Sequence, residues 1–209
     1  MTDRTIPAAV RERLPIYLHY LRGFTGGGKT TISSAALAKG LGLGEVQVRK
    51  DLALVSGAGK PKIGYDAAEL TSHLENALGI AETNAVIVGA GRLGKALLCY
   101  EGFNEFGLHI LAAFDKDESK CSFREGGKLV LPIDELKEFC EENEVKIGVI
   151  CVPEKEAPAV CELLVSCGMK GIWNFAPVRL NVPEAVGIRN ENMAASLAVL
   201  ASSLAETDR

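Results

Sequence analysis

The sequence is short of the residues that build metal and disulfide sites. Its 209 residues include only three histidines and one tryptophan, and its six cysteines form no Cys-x-x-Cys pair. That excludes the close-spaced ligand sets of structural zinc sites. Cys99, Cys140 and Cys161 fall in helical patterns and Cys151 in a strand. With Cys121 and Cys167, they read as buried free thiols in a reducing compartment. No apolar run reaches the roughly 20 residues that span a bilayer. The opening MTDRTIPAAVRERLP has mixed charge and lacks the apolar core of a secretory signal, so a cytoplasmic location and no membrane partner are expected. Internal repeats and low-complexity segments are also lacking. What is present is ordinary globular material, 47% apolar and 24% charged, enough for two modest cores.

Charge divides the chain. Residues 1–80 carry 10 Lys/Arg against 7 Asp/Glu, whereas residues 81–209 carry 13 against 20. The net charge of −4 therefore hides a mildly basic first half, the only part whose charge suits a nucleic acid.

Residues 8–79 read as helical apart from one turn-rich patch. Val10, Leu14, Tyr17, Leu18 and Leu21 recur at helical spacing. Ser33 or Ser34 caps a short helix that glycines end. A helix over 45–54 turns Val48, Leu52 and Val55 inward, with Gln47, Arg49, Lys50 and Asp51 elsewhere around it. SGAGKPKIGY (56–65) suits a short hairpin, and residues 66–80 return to helix through Leu70, Leu74 and Leu78. This order fits a winged helix-turn-helix, and equally a small helical bundle with a solvated charged face. In the winged reading the DNA-contacting candidates are Ser33, Ser34, Gln47, Arg49, Lys50, Lys60, Lys62 and Tyr65. The amides and guanidinium of the 45–54 helix match base edges, and the wing lysines match phosphate. Gly23 to Thr30 also spells Gly-x-x-x-x-Gly-Lys-Thr, the phosphate loop of nucleotide hydrolases. That loop must follow a strand, and the preceding LPIYLHYLR is helical, so a glycine-rich connection is expected instead.

The second half alternates strands and helices: AVIVGAG (85–91), a helix to about Phe106, LHILAAFD (108–115), KLVLP, IDELKEFCEEN, KIGVICVP, EKEAPAVCELLVSCG and KGIWNFAP. Such alternation predicts a doubly wound parallel sheet covered on both faces, a Rossmann-like α/β fold. Gly89-Ala90-Gly91-Arg92-Leu93-Gly94 is a Gly-x-Gly-x-x-Gly at a strand-to-helix junction. Asp115 closes the next strand 21 residues after Gly94, where an acid accepts bonds from ribose hydroxyls and repels a 2′-phosphate. NAD(H) is therefore expected ahead of NADP(H), with Lys116 beside the acid as the one opposing charge. Val152-Pro153 and Asn174-Phe175-Ala176-Pro177 end later strands bordering the same crevice. There Asn174 suits a carboxamide and Phe175 a ring, although ordinary loop chemistry accounts for both positions equally well.

These residues together resemble the Rex family of redox-sensing transcriptional repressors. The carrying stretches are ValArgGluArgLeuPro (10–15), IleSerSerAlaAlaLeuAla (32–38), GlnValArgLysAspLeu (47–52), the glycine fingerprint running on to Leu98 with Tyr100 and Gly102-Phe103, AlaPheAsp (113–115), AsnPheAlaProVal (174–178) and Val182-Pro183. The resemblance implies a homodimer with a winged-helix DNA-binding domain over 1–80, an NAD(H)-binding Rossmann domain over 81–209, and a final helix (190–207) swapped onto the partner. The apolar seam Met193, Leu197, Leu200, Leu204 needs some cover, from a partner or from its own domain. The resemblance further implies a repressor that leaves its operator when NADH is bound, with Arg13 and Tyr100 coupling the two sites. Three features depart from the family pattern: Asn192 stands where an acid is expected as the third coupling residue, the wing has Pro61-Lys62 where Arg-Gly is usual, and the Gly26–Lys29 loop is unusual.

Three other functions fit parts of the pattern. A NAD-dependent dehydrogenase needs a positioned acid or base and a substrate domain. Yet His109, the only histidine after residue 80, falls in a strand away from the crevice, and the nucleotide fold uses the whole second half. No catalytic residue and no metal ligand is therefore assigned. A CoA-binding protein would not need Asp115. A DNA-binding regulator that has lost its redox response is compatible with Asn192.

Overall fold

The structure, a computed structural model, describes residues 6–25, 30–121 and 124–207. The chain separates into two compact units, residues 1–81 and 82–209. Gly26 to Lys29, the centre of the phosphate-loop-like motif, lies outside the described residues.

In the first unit the opening helix is two: α1 (Ala8–Arg11) and α2 (Leu14–Thr25). Pro15 explains the break. It has no N–H to continue a helix, but it fits a first turn where that N–H would be unbonded. β1 (Thr31–Ile32) leads into α3 (Ser34–Leu41), whose first turn is capped by Ser33 Oγ accepting from Ala36 N at 3.0 Å. Gly42 ends α3 at φ +66° and sets the tight turn into α4 (Glu45–Ser56). β2 (Tyr65–Asp66) then pairs antiparallel with β1, Ile32 opposite Tyr65, and α5 (Ala67–Leu78) closes the unit with Asp66 as its cap. The β1–β2 pair and a bridge between Lys60 and Gly64 settle the choice between bundle and winged helix in favour of the wing. Leu14, Tyr17, Leu18, Leu21, Leu37, Val48, Leu52 and Leu74 are all fully buried in this unit. Asp51 corrects the reading of α4: it is not on the solvated side but 3% exposed.

The second unit runs β3 (Thr83–Val88), α6 (Arg92–Leu98), a 3-10 helix (Glu101–Phe106), β4 (Leu108–Asp115), β5 (Arg124–Glu125), β6 (Lys128–Pro132), α7 (Leu136–Glu142), β7 (Ile147–Ile150), α8 (Ala157–Ser166), β8 (Gly171–Asn174), β9 (Gly187–Asn190) and α9 (Met193–Thr207). Among the described residues the sheet order is β5-β6-β4-β3-β7-β8-β9, with only β5 antiparallel. The strands alternate faces. Val86, Val88 and Phe114 pack with Cys140, Cys161 and Leu164 on the α7–α8 side. Ala85, Ile87, Ile110 and Val149 pack with Leu98 on the α6 side. The helix after β3 stops at Leu98, short of the expected Phe106. β9 was not anticipated, because GIRN offers one apolar residue and the pattern there resembles a loop. Cys99 is exposed rather than buried. α9 leaves Met193, Leu197, Leu200 and Leu204 each more than half exposed in the single chain.

Candidate functional site

The sheet reverses its winding between β3 and β7, and in open α/β sheets a ligand lies at that reversal, outside the carboxyl ends of the strands. A cavity of about 480 Å³ opens there. Gly89 holds φ +105°, and a Cβ on it would meet the Cys151 carbonyl. Gly94 must lack a side chain because a Cβ would run into the Gly89 carbonyl, so α6 is able to lie against β3. Gly91 differs: its backbone is extended and a Cβ there would meet nothing within 4 Å. The space in front of Gly91 is a cradle a methyl would fill, beside the N–H groups that open α6, and it suits a diphosphate.

Gly89, Gly91, Arg92, Leu93, Asp115, Lys116, Val152 and Pro153 line this cavity. Ala90 and Gly94 are buried and do not line it. Asp115 is 7% exposed; its Oδ2 accepts from Ala90 N at 2.8 Å and its Oδ1 from Asp117 N at 2.9 Å, with Lys120 Nζ 3.2 Å from Oδ2. Burial alone would raise its pKa. The two N–H groups and the Lys120 ammonium outweigh burial and hold the carboxyl below its usual range. Lys116 reaches across to Glu156 at 2.8 Å. Lys120, Ile133, Cys151, Glu156 and Val160 also line the cavity and were missed. Ile133 follows directly on β6, and the strand-end rule applied to that strand would have found it. Burial pushes the Cys151 thiol up to about 12, so it stays protonated.

The later strand ends behave differently. Asn174 is fully buried, and its amide is spent on its own loop: Nδ2 donates to the carbonyls of Ala176 and Val178 and to Asn190 Oδ1, while Oδ1 accepts from Ala176 N. Both amide hydrogens are thereby engaged within the loop, in line with the loop chemistry that the sequence left open beside the carboxamide role. Ala176 and Pro177 line a separate depression of about 340 Å³ together with Asn190, Glu191 and Asn192. Phe175 packs at 4.6 Å on Trp173. Tyr100 is 58% exposed and lies edge-on to Phe103. Asn192 Oδ1 caps α9, accepting from Ala195 N at 2.9 Å.

In the first unit, Ser33, Ser34, Arg49, Lys60, Lys62 and Tyr65 line one concavity of about 470 Å³ between the start of α3, the middle of α4 and the wing. Gln47 and Lys50 are exposed on α4 outside it. Ser33 is committed to its cap, and the Tyr65 hydroxyl donates to Gly57 O at 3.3 Å, so both shape the surface as well as face it. Lys62 takes φ +64°, a conformation that a glycine adopts more cheaply. Behind α4, Arg13 grips Asp51 with both arms, Nε to Oδ2 at 2.7 Å and Nη2 to Oδ1 at 2.9 Å, and the buried Tyr17 hydroxyl donates to Oδ2 at 2.7 Å. Burial would raise the Asp51 pKa, but the hydrogen bonds from Arg13 and Tyr17 win and lower it. Burial, with the Asp51 bond, pushes Tyr17 up to about 12. The contact of Asp51 with Arg13 and Tyr17 was missed, because a charge on a helix reads as solvated.

Comparison with known proteins gives a consistent result. A CoA-binding domain family matches residues 80–178, and a family described as a putative DNA-binding protein N-terminus matches residues 5–53. The redox-sensing transcriptional repressor Rex of Carboxydothermus hydrogenoformans is 45% identical over 196 residues, covering 93% of this chain and 94% of that protein. Rex of Desulforamulus reducens is 39% identical over 201 residues, 96% of each. Among solved structures, RSP in complex with NAD+ and operator DNA superposes with a TM-score of 0.89 at 32% identity, over 99% of this chain and 95% of that one. RSP in complex with NADH gives 0.85 at 31%, over 99% and 97%.

Proposed function

This chain belongs to the Rex family of redox-sensing transcriptional repressors, and from that membership we propose how its own residues carry out the family's work. It is a repressor that binds operator DNA as a dimer and answers to NAD(H). We assign nucleotide binding to residues 81–209. The N–H groups of the Gly91–Leu93 turn hold the diphosphate, and Asp115, fixed by Ala90 and Lys120, faces the adenosine ribose. Val152, Pro153 and Phe175 border the other half of the dinucleotide. Bound NAD(H) supplies a nicotinamide ring that is cationic when oxidised and neutral when reduced.

We assign DNA recognition to residues 1–80. Arg49 reads bases from within the concavity, Gln47 and Lys50 extend that surface along α4, and Lys60 and Lys62 meet phosphate or the minor groove. Asp51 anchors α4 from behind through Arg13 and Tyr17. A second copy covers the Met193–Leu204 seam, and a swapped α9 is one way to cover it. Arg13 and Tyr100 are the proposed coupling pair. Asn192 contributes as the cap of α9, not as an ionic partner.

No catalysis is assigned, because the relatives at 39–45% identity are repressors, and the charged groups at the cavity are engaged with one another, Asp115 with Ala90, Asp117 and Lys120, and Lys116 with Glu156. Operator DNA and the nucleotide pool put its work in the cytoplasm. The observation that carries the reading is the open cradle at Gly91 beside a carboxylate positioned for a ribose, in a chain that also presents Arg49 and the wing lysines around one concavity. The test is an operator titration with and without NADH at fixed salt. NADH is expected to weaken operator binding, and equal affinity at all NADH concentrations would refute the redox response.

A further inference from the structure

We propose that Trp173 is a positioning residue that links the nicotinamide end of the cleft to the root of α9 through Glu191. The inference deepens the function proposed above and rests on it.

Asp115 ends β4 and faces the adenosine end, so the remainder of a dinucleotide extends to the β7–β8 side of the reversal. On that side Asn174 is level with Ile150, and Ile150 with Val88. Trp173 and Phe175 thus flank the carboxyl end of β8, and both pack on the α6 face of the sheet. They belong to an aromatic row in a chain otherwise poor in aromatics: Tyr100 on Phe103 at 4.9 Å, Phe103 on Trp173 at 5.6 Å, Trp173 on Phe175 at 4.6 Å. The first two contacts are edge to face and the third is tilted, and in close packing the displacement of one ring is felt by the next.

An inner member of the row, Trp173, carries a polar handle. Trp173 Nε1 donates to Glu191 Oε1 at 3.1 Å, and Arg189 Nε donates to the same oxygen at 3.0 Å. Glu191 N is tied to Asn174 O at 2.8 Å, and the next residue, Asn192, caps α9. A shift of the indole therefore reaches the base of α9 with one residue between. Since the Asn192 side chain is spent on its cap, Glu191 is the carboxylate available at this junction, and the indole holds it. The helix rooted there carries the exposed Met193–Leu204 seam.

Trp173→Phe keeps a ring in the row and removes only the N–H, and Glu191→Gln keeps an acceptor but removes the charge. Each full-length variant is compared with the wild type by NADH calorimetry, by operator affinity with and without NADH, and by thermal midpoint. The expected result for Trp173→Phe is NADH affinity and NADH-free operator affinity within about threefold of wild type. The ratio of operator affinities without and with NADH is expected to fall at least about fivefold. An unchanged ratio in both variants overturns the proposal. A wild-type ratio of one instead overturns the redox reading beneath it, so the two failures are distinguishable. Trp173 is the only tryptophan, so its emission reports the contact with no ligand present. Glu191→Gln is expected to shift the emission maximum, and an unmoved maximum contradicts the link.

Discussion

Replacing Gly91 with alanine separates folding from binding more cleanly than any other change in the nucleotide site. The Gly91 backbone sits at φ −74° and ψ −171°, open to any L-residue, and a Cβ there meets nothing within 4 Å. The folded state therefore bears no strain, and the less flexible unfolded chain adds about 0.4–1 kcal/mol of stability. The bound state is another matter. The methyl projects into the open space beside the N–H groups that open α6, where the diphosphate is placed. Charge-assisted hydrogen bonds are worth about 1.5–3 kcal/mol each, and losing one to two of them weakens NADH by roughly 10- to 10⁴-fold. Calorimetry with NADH, alongside a thermal melt, reads both quantities on one sample. A normal melt with binding lost is the expected outcome. NADH binding Gly91→Ala as tightly as the wild type would refute the placement of the diphosphate. Gly94→Ala is the contrasting control: its Cβ runs into the Gly89 carbonyl, so folding of the second unit suffers along with binding.

Other substitutions address the remaining assignments. Asp51→Ala strands the buried Tyr17 hydroxyl and leaves Arg13, 24% exposed on its side chain, to find water. The first unit should lose about 2–4 kcal/mol, read as faster hydrogen exchange across α2 and α4; unchanged protection contradicts it. Because the Asp51 pKa is lowered in the fold, this contribution is complete above the ordinary carboxyl range and disappears as pH falls through the depressed value. Arg49→Ala should weaken operator binding by about 1–3 kcal/mol with NADH affinity intact; loss of both means α4 is not the recognition helix. Lys60→Ala with Lys62→Ala should reduce the salt slope of operator binding by roughly 2; an unchanged slope removes the wing from phosphate. Leu197→Glu with Leu200→Glu should halve the mass seen by sedimentation, and a persisting dimer would move the interface off α9.

How much of this was legible depended on whether a residue's neighbours are local. β3, the glycine turn and β4 with Asp115 were readable because a hydrophobic run, a backbone requirement and a fixed spacing all lie within one stretch of about 30 residues. The seam of α9 was readable by its period alone. The role of Asn174 stayed open because its partners, Val178 and Asn190, come from a loop and an edge strand with little pattern. Lys120 arrives at the cavity from the connection after β4, and only the fold of that connection turns its ammonium onto Asp115. Asp51 looked solvated because nothing in α4 itself shows that Arg13 and Tyr17 converge on it from α2 and the residue before it. Charges buried by long-range partners are invisible to a periodicity argument.

The central claim is that nucleotide and DNA compete through one protein, and linkage makes that reciprocal. Calorimetric titration of NADH into the dimer, alone and saturated with an operator duplex at the same salt, measures it directly. The account predicts that DNA weakens NADH by the same factor by which NADH weakens DNA. An NADH affinity indifferent to bound operator would contradict it.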